Sequence, residues 1–265
     1  MVKRNLHKIY MGLIFVFLYA PILVLVAYSF NDSTSRGNWG GFTLKWYIDL
    51  FNDRDIKTAL YYTVIVAMLA ATIATFIGTF SAIGLYNFKK KPKAIMVNVN
   101  YLPVVNPDIV TGLSLMILYL STNMKLGFLS MLLSHITFDI PFVILAVMPK
   151  LKSLNKHLTE AALDLGATPL YALRKVVIPE IMPGIITGFL IAFTLSIDDF
   201  VISFFTTGSG VTNLSIVIYS MARRGVKPTI NALSTLMLTV VLILLFFINK
   251  RSALVEGQKN NGGIK

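Results

Sequence analysis

Six apolar stretches, each long enough to cross a lipid bilayer as a helix, occupy most of this 265-residue chain. A helix needs about 20 apolar residues to span the hydrocarbon core. The stretches lie at Ile9–Phe30, Ala59–Tyr86, Ala94–Leu120, Phe128–Met148, Gly184–Thr206 and Ile230–Asn249. Only 14% of the residues are charged, against about 25% in soluble domains. We therefore predict an all-α integral membrane protein with six transmembrane helices.

Lysines and arginines are divided unevenly between the segments that join these stretches. Sixteen of the 24 fall on the side that also holds both termini, and eight fall on the other side. Cytoplasmic loops are the ones enriched in Lys and Arg, so both termini are predicted to be cytoplasmic. The net charge of +12 then needs no nucleic-acid partner to explain it. The first stretch is longer than the apolar part of a signal peptide, so we expect it to be retained as a span.

Four of the twelve acids fall inside the predicted spans, where no lysine or arginine occurs. They are Asp108, Asp139, Asp198 and Asp199. At a helical rise of about 1.5 Å per residue, Asp108 and Asp198 both lie roughly 21 Å from the cytoplasmic end of their spans, and Asp139 lies nearer the middle of its own. An acidic cluster formed by the third and fifth spans is therefore possible. Intramembrane acids mark substrate or ion pathways, so we predict a path for a cationic solute.

The third span is interrupted in the stretch YLPVVNPDIVTG. Broken backbone at membrane depth is tolerated where it packs against protein or lines a wet cavity. Asp108 either lines the solute path, for which Tyr101 is a further candidate, or caps the helix that restarts after Pro107.

The two adjacent acids of the fifth span point in different directions if the helix is regular. Adjacent residues of a helix point about 100° apart, so Asp198 and Asp199 face one narrow seam only if the helix unwinds. Phe200 and Phe204 lie beside the pair. Their rings either offer cation–π contacts to a solute or pack against lipid and neighbouring helices.

The longest predicted cytoplasmic segment, at residues 150–182, has the pattern of two short helices joined by a turn. Apolar residues recur at helical spacing up to Gly166, which provides a stop, and the Thr-Pro pair at 168–169 begins a second helix. Pro179 and Pro183 are expected to end that helix before the fifth span. Such a helix pair either docks onto a partner or lies on the membrane surface by itself.

Part of this segment, EAALDLGATPLYALRKVVIPEIMPG, resembles the EAA loop in the permease subunits of ATP-binding-cassette (ABC) importers. Glu160, Ala161, Ala162 and Gly166 occupy the motif positions, and Pro179 belongs to its tail. In that family the loop is a coupling helix that seats in a cleft of the cytoplasmic ATPase. The resemblance implies the type I importer permease fold, also called MetI-like.

Four more segments resemble the spermidine/putrescine permeases of this family: SFNDSTSRGNWGGFTLKWY, NPDIVTGLSL, SHITFDIPFV and FTLSIDDFVISFF. Asp139 is a departure, because that position usually carries a small or neutral residue. The resemblance implies a single permease domain, with its core at about 59–249. The polar, Gly-rich end EGQKNNGGIK predicts a disordered cytoplasmic tail at 250–265. It also implies polyamine transport across the inner membrane of a bacterium. The implied partners are a second homologous permease, an ATPase dimer that binds ATP and Mg, and an extracytoplasmic polyamine-binding protein.

Residues for independent catalysis or metal binding are missing from the sequence. It has no phosphate-binding G-x-x-x-x-G-K-[ST] loop and no cysteine, and its three histidines lack metal-ligand spacing. We expect no enzyme activity, catalytic residue, metal or cofactor on this chain, and ATP hydrolysis on a partner. An ordinary interhelical hydrogen bond is expected for His135. The alternatives are the same machinery serving another cationic or metal-complex solute, or an autonomous secondary transporter.

The outer loop after the first span carries Trp39, Trp46 and Tyr47 among turn residues. Tryptophan and tyrosine are enriched at membrane interfaces, where they act as anchors. The family resemblance offers a second role, which is docking of the solute-binding protein.

Overall fold

The computed structural model describes residues 2–34, 38–224, 228–239 and 242, and this part of the chain is mostly helical. Its one β pairing, within those ranges, is an isolated bridge between Asn31 and Phe42. The helices are α1 (Val2–Tyr28), α2 (Lys45–Asn52), α3 (Arg54–Asn87), α4 (Lys90–Val105), α5 (Asp108–Ser121), α6 (Phe128–Ser153), α7 (Lys156–Asp164), α8 (Pro169–Ala172), α9 (Ile178–Asp198), α10 (Val201–Thr206) and α11 (Leu214–Arg224). A π-helical turn, Leu173–Val177, joins α8 to α9, and residues 228–239 are also helical.

Four helical segments of the described chain are long and apolar enough to cross a membrane: Tyr10–Tyr28, Arg54–Asn87, Phe128–Ser153 and Pro169–Asp198. A fifth span results if α4 and α5 count as one, although they are bent by 101°. The bend follows from Pro107, which forces the preceding Asn106 into extended backbone. Of the predicted sixth span, Ile230–Asn249, residues 230–239 and 242 are described and helical, and the others lie outside the described residues. The predicted all-helical membrane architecture is therefore confirmed with four to five spans.

The chain divides into two units, residues 57–217 and the combination of 1–56 with 218–265. In the first unit, α3, α6 and α9 form the core, and small residues bring their backbones close together. A Cβ placed on Gly78 of α3 would lie 2.8 Å from the Cβ of Val143 in α6. A Cβ on Gly188 of α9 would lie 3.1 Å from the Cγ1 of Val143. Small residues at helix crossings allow the close packing that holds membrane helices together.

Gly78→Val is expected to destabilise the protein, because its side chain would overlap Val143 and force α3 and α6 apart. Overpacking a tight contact costs about 1–3 kcal/mol. Gly84, on the same helix, is the matched control, because a Cβ there has no heavy atom within 4 Å. Thermal unfolding in detergent measures both variants. A Gly84→Val variant that loses as much stability as Gly78→Val would contradict this account of the packing.

In the second unit, Asn31 organises the loop after α1. Its Oδ1 accepts from the backbone N–H groups of Ser33 and Gly40 at 3.2 and 2.8 Å. Its carbonyl oxygen accepts from Nε1 of Trp46 at 2.7 Å. Trp46 is buried, so it belongs to the packing of the loop itself and is not the exposed anchor or docking residue that the sequence suggested. Trp39 is 60% exposed and keeps both interpretations open.

The fifth span begins earlier than the sequence predicted. One helical segment runs from Pro169 to Asp198, so the expectation that Pro179 and Pro183 end a short helix is wrong. The π turn ends directly before α9, and the N–H of Ile178 donates to the carbonyl of Leu173 within it. A π turn widens the helical ladder, which makes room for a proline ring that would clash in a regular helix. The span therefore starts inside the segment that was assigned to the loop.

Candidate functional site

The fifth span is broken at its acid pair. Helix α9 ends at Asp198, Asp199 has an extended backbone with φ −60° and ψ 124°, and α10 begins at Val201. The directions of the two acids were predicted to depend on such unwinding, and the unwinding is present. In the structure the Asp198 side chain is exposed, whereas that of Asp199 is only 7% exposed.

Side chains near the start of α11 satisfy the backbone groups that the break releases. Nδ2 of Asn213 donates to the carbonyl of Asp199 at 2.9 Å. Oγ of Ser215 donates to the carbonyl of Asp198 at 3.2 Å. An unsatisfied carbonyl at membrane depth would cost several kcal/mol, so these two bonds explain how the chain tolerates non-helical backbone there.

Asp199 acts as the N-terminal cap of α10. Its Oδ2 accepts from the N–H of Ser203 at 2.7 Å, and its Oδ1 accepts from the N–H of Ile202 at 3.2 Å. A carboxylate at a helix N-terminus satisfies orphan donors and interacts favourably with the helix dipole. The inward direction of Asp199 therefore has a structural cause, and Asp198 is the acid of the pair that is presented outward.

A buried polar network surrounds the inner side of this break. His135 of α6 places Nδ1 at 3.1 Å from Oγ of Ser196 and Nε2 at 2.9 Å from Oγ of Ser203. The same Nε2 lies 3.6 Å from Oδ2 of Asp199. Oγ of Ser196 donates to Oδ2 of Asp139 at 2.7 Å. The interhelical hydrogen bonding expected for His135 is thus confirmed.

Asp139 is fully buried in this network. Its Oδ1 has no hydrogen-bond partner within the described part of the chain. The residue therefore does not line an open path in this structure.

Asp108 is exposed and is the first residue of α5. The helix restarts after Pro107 as the sequence predicted, but the side chain of Asp108 does not cap it, because Pro107 occupies the cap position and makes no side-chain hydrogen bond. Helix α5 packs against α10 at Gly112, where a Cβ would lie 3.1 Å from Cδ2 of Phe205. The helix that begins with Asp108 therefore contacts α10, the helix that follows the acid pair.

The aromatic candidates occupy two different places. The rings of Phe200 and Phe204 lie 5.4 Å apart next to the break, and Phe204 is 50% exposed. Tyr101 lies in α4, on the other side of the 101° bend from Asp108. It lines a cavity of about 110 Å³ together with Lys93 and Lys152. The structure thus places the phenylalanines, but not Tyr101, with the acid pair.

In the described residues, each close pair of a basic side chain and a carboxylate involves a histidine. His135 pairs with Asp199, and His157 pairs with Glu160. In that part of the chain no lysine or arginine lies within 4.0 Å of a carboxylate. The exposed acids Asp108 and Asp198 are therefore not neutralised by a basic side chain there, and their charge remains available to a cation from outside the chain.

The predicted helix–turn–helix of the cytoplasmic segment is present as α7 and α8. The side chain of Asn155 caps α7 by accepting from the N–H of His157 at 3.1 Å. Gly166 ends the helix with φ +83°, and Oγ1 of Thr168 accepts from the N–H of Tyr171 at the start of α8. Turn chemistry read from the sequence therefore located this turn correctly. The apolar pattern is split, however, because Leu151 belongs to α6.

The motif residues lie on an open surface. Glu160, Ala161, Gly166 and Pro179 are exposed, and Ala162 is half-buried. Large apolar side chains at the turn are exposed as well: Leu165 to 89%, Leu170 to 73% and Tyr171 to 58%. Adjacent exposed apolar groups at this turn mark a surface that contacts another protein or the membrane.

Comparison with known proteins gives consistent matches. The family model described as "Binding-protein-dependent transport system inner membrane component" matches residues 74–253. The spermidine/putrescine transport system permease protein PotC of Shigella flexneri is 40% identical over 263 residues, which cover 99% of both chains. The putrescine transport system permease protein PotI of Escherichia coli (strain K12) is 40% identical over 255 residues, covering 92% of this chain and 90% of PotI.

A solved structure supports the fold. One chain of a bacterial ABC transporter involved in the import of the acidic polysaccharide alginate superposes with a TM-score of 0.76 at 13% identity. The superposition covers 94% of this chain and 96% of that one. Because identity is this low, the likeness concerns the fold alone.

Proposed function

Because the chain belongs to the family of binding-protein-dependent transport system inner membrane components, we propose that it is the permease subunit of an ABC importer that carries spermidine and putrescine across the inner membrane. The observation that carries the proposal is the 40% identity to a spermidine/putrescine permease over 99% of both chains. An exposed carboxylate, Asp198, and a half-exposed ring, Phe204, near the same helix break support the choice of a polyamine as the solute. The chain is a transport subunit and not an enzyme, and the ATPase is a separate subunit.

The path for the solute is formed by acids of the third and fifth spans. Asp198 and Asp108 each recognise an ammonium group by a charge-assisted hydrogen bond. Phe200 and Phe204 add apolar and cation–π contacts to the methylene chain and its charged ends. Asp199 caps α10 and its side chain points inward. It therefore does not make the first contact with the solute.

The membrane topology follows from the distribution of basic residues. With six spans, both termini and the α7–α8 turn lie on the same side of the membrane. That side is the cytoplasm, because its segments hold most of the Lys and Arg residues. The core extends over about 59–249, with the coupling segment at 150–182. The acids at the break then lie in the outer half of the membrane, on the side from which the solute arrives.

The remaining subunits of the importer supply what this chain lacks. A second homologous permease completes the path, and an extracytoplasmic binding protein delivers the polyamine. Two ATPase copies bind ATP and Mg in the cytoplasm and hold the α7–α8 turn in a cleft. Closure of the ATPase dimer moves this turn, and the helical segment Pro169–Asp198 connects the turn directly to the acids at the break.

ATPase activity of the assembled importer in liposomes tests the proposed substrate. Binding protein loaded with spermidine or putrescine is expected to stimulate ATP hydrolysis several-fold, whereas the same protein without ligand gives little stimulation. Stimulation by a cationic amino acid or a metal complex, with none by polyamines, would contradict the proposed substrate and retain the importer class.

Leu165→Glu is expected to weaken capture of the ATPase by more than tenfold, because Leu165 is the most exposed apolar side chain of the turn. Loss of an interface hot spot costs about 2 kcal/mol or more, and each 1.4 kcal/mol is about tenfold in affinity. Leu165→Met is the matched control, since it preserves volume and apolar character. Co-purification of the ATPase on the tagged permease measures both variants. Equal capture by Leu165→Glu and the wild type would exclude the turn from the ATPase interface.

A further inference from the structure

His135 connects the two sides of the broken span. It lies on α6, is not one of the acids proposed to line the path, and is 1% exposed. Its Nδ1 contacts Ser196, which lies in the last turn of α9, and its Nε2 contacts Ser203, which lies in the first turn of α10. One rigid imidazole ring thus bridges the helix before the break to the helix after it.

Asn213 holds the same break from the side of α11. Its Nδ2 donates both to the carbonyl of Asp199 and to Oγ of Ser203. Its Oδ1 accepts from the N–H of Ile216 at 3.0 Å, which fixes the amide against α11. The far end of α10 is tied down as well, because Oγ of Ser130 donates to the carbonyl of Thr206 at 2.7 Å. The orientation of α10 is therefore set by side chains from α6 and the start of α11.

The break determines what surrounds Asp198. Because α9 ends there, the carbonyls of residues 195–197 in its last turn have no partner in the helical ladder and carry the negative end of the helix dipole. The carbonyl of Asp198 itself accepts from Oγ of Ser215. A broken membrane helix whose C-terminal end meets an acid is the arrangement that attracts a cation. If α9 continued through residue 201, these carbonyls would be hydrogen-bonded within the helix and would offer nothing to an ammonium group.

We propose that His135 and Asn213 are positioning residues for polyamine recognition: they hold the break that makes the C-terminal end of α9, with Asp198, a site for one primary ammonium group. The inference rests on the proposed function, since it takes Asp198 as a path residue. Neither positioning residue touches the solute. They act by keeping the helix ended at Asp198.

The test separates the geometry of the break from transport. The chain contains no cysteine, so for the distance measurement alone nitroxide labels can be attached to cysteines introduced at Ile186 and Phe204, both of which are exposed. The KM is measured on unlabelled chains that retain Phe204. An unbroken helix would place these positions about 27 Å apart, at 1.5 Å per residue. The wild-type chain is expected to give a clearly shorter distance by double electron–electron resonance.

His135→Leu is expected to move this distance towards the value for an unbroken helix and to raise the KM for spermidine about tenfold, with the assembled complex retained. His135→Gln, whose amide still reaches across the break, should recover most of the wild-type KM. Thr137→Val is the matched control, because Thr137 is an exposed residue of α6 whose hydroxyl donates to the carbonyl of Leu133 in the same helix. Ser203→Ala removes one hydroxyl from the bridge and gives the same test if His135→Leu does not assemble.

Each outcome has a defined meaning. An assembled His135→Leu variant with wild-type distance and wild-type KM overturns the inference, as does a wild-type chain that already shows the distance of an unbroken helix. If His135→Leu shifts the distance but keeps a normal KM, His135 holds the break but has no role in polyamine recognition, and the inference is overturned. Normal uptake by Asp198→Asn together with a shifted distance in His135→Leu would overturn the proposed path residue and not the positioning of the break.

Discussion

Asp198→Asn is expected to reduce spermidine uptake by about tenfold or more while assembly with the ATPase is preserved. The substitution keeps the size of the side chain and removes the negative charge at the exposed end of α9. A hydrogen bond to a charged group contributes about 1.5–3 kcal/mol, and 1.4 kcal/mol corresponds to about a tenfold change in affinity. The measurement is uptake of radiolabelled spermidine, with the amount of assembled complex determined in the same membranes.

Two controls make this result specific. Asp198→Glu keeps the charge and should retain much more uptake than the amide. Asp55→Asn removes an exposed acid at the start of α3 and should leave uptake unchanged. Wild-type uptake by assembled Asp198→Asn would exclude this carboxylate from the path.

Gly166→Val is expected to abolish stimulation of ATP hydrolysis by loaded binding protein. Gly166 ends α7 with φ +83°, a left-handed conformation that β-branched residues rarely adopt. Its substitution would force the turn to rearrange and would displace the exposed apolar tip of the α7–α8 hairpin from the ATPase cleft. The readout is ATPase activity of the complete importer in liposomes.

Gly166→Asn provides the matched control, because asparagine tolerates left-handed backbone and is the second choice after glycine at helix C-termini. It should retain most of the stimulation. A Gly166→Val variant that remains fully stimulated would contradict the role of this turn in coupling.

Much of the fold follows from local signals in the sequence. The spans are marked by apolar length, and the α7–α8 turn by glycine at a left-handed position followed by a threonine cap. A few neighbouring residues determine the turn, and the thickness of the bilayer determines the length of a span. Neither depends on contacts with distant parts of the chain. Pro179 did not end the helix as predicted, because the π turn that precedes it leaves no obvious mark in the sequence.

The geometry at the acid pair depends on distant residues and was not predictable in the same way. SIDDF contains neither proline nor glycine, the residues that break helices most strongly. The break exists where Asn213, Ser215 and His135 supply hydrogen bonds from other helices. The sequence indicated that two adjacent acids diverge, but only tertiary contacts decide that Asp199 turns inward and Asp198 outward.

Energy-dependent uptake in proteoliposomes tests the central claim most directly. The chain would be reconstituted with its partner permease, the ATPase and the binding protein, with ATP enclosed on the cytoplasmic side. The account predicts concentrative uptake of radiolabelled spermidine that requires ATP and is competed by putrescine but not by arginine. Uptake that proceeds without ATP, or a complete importer that accumulates another solute and neither polyamine, would contradict it.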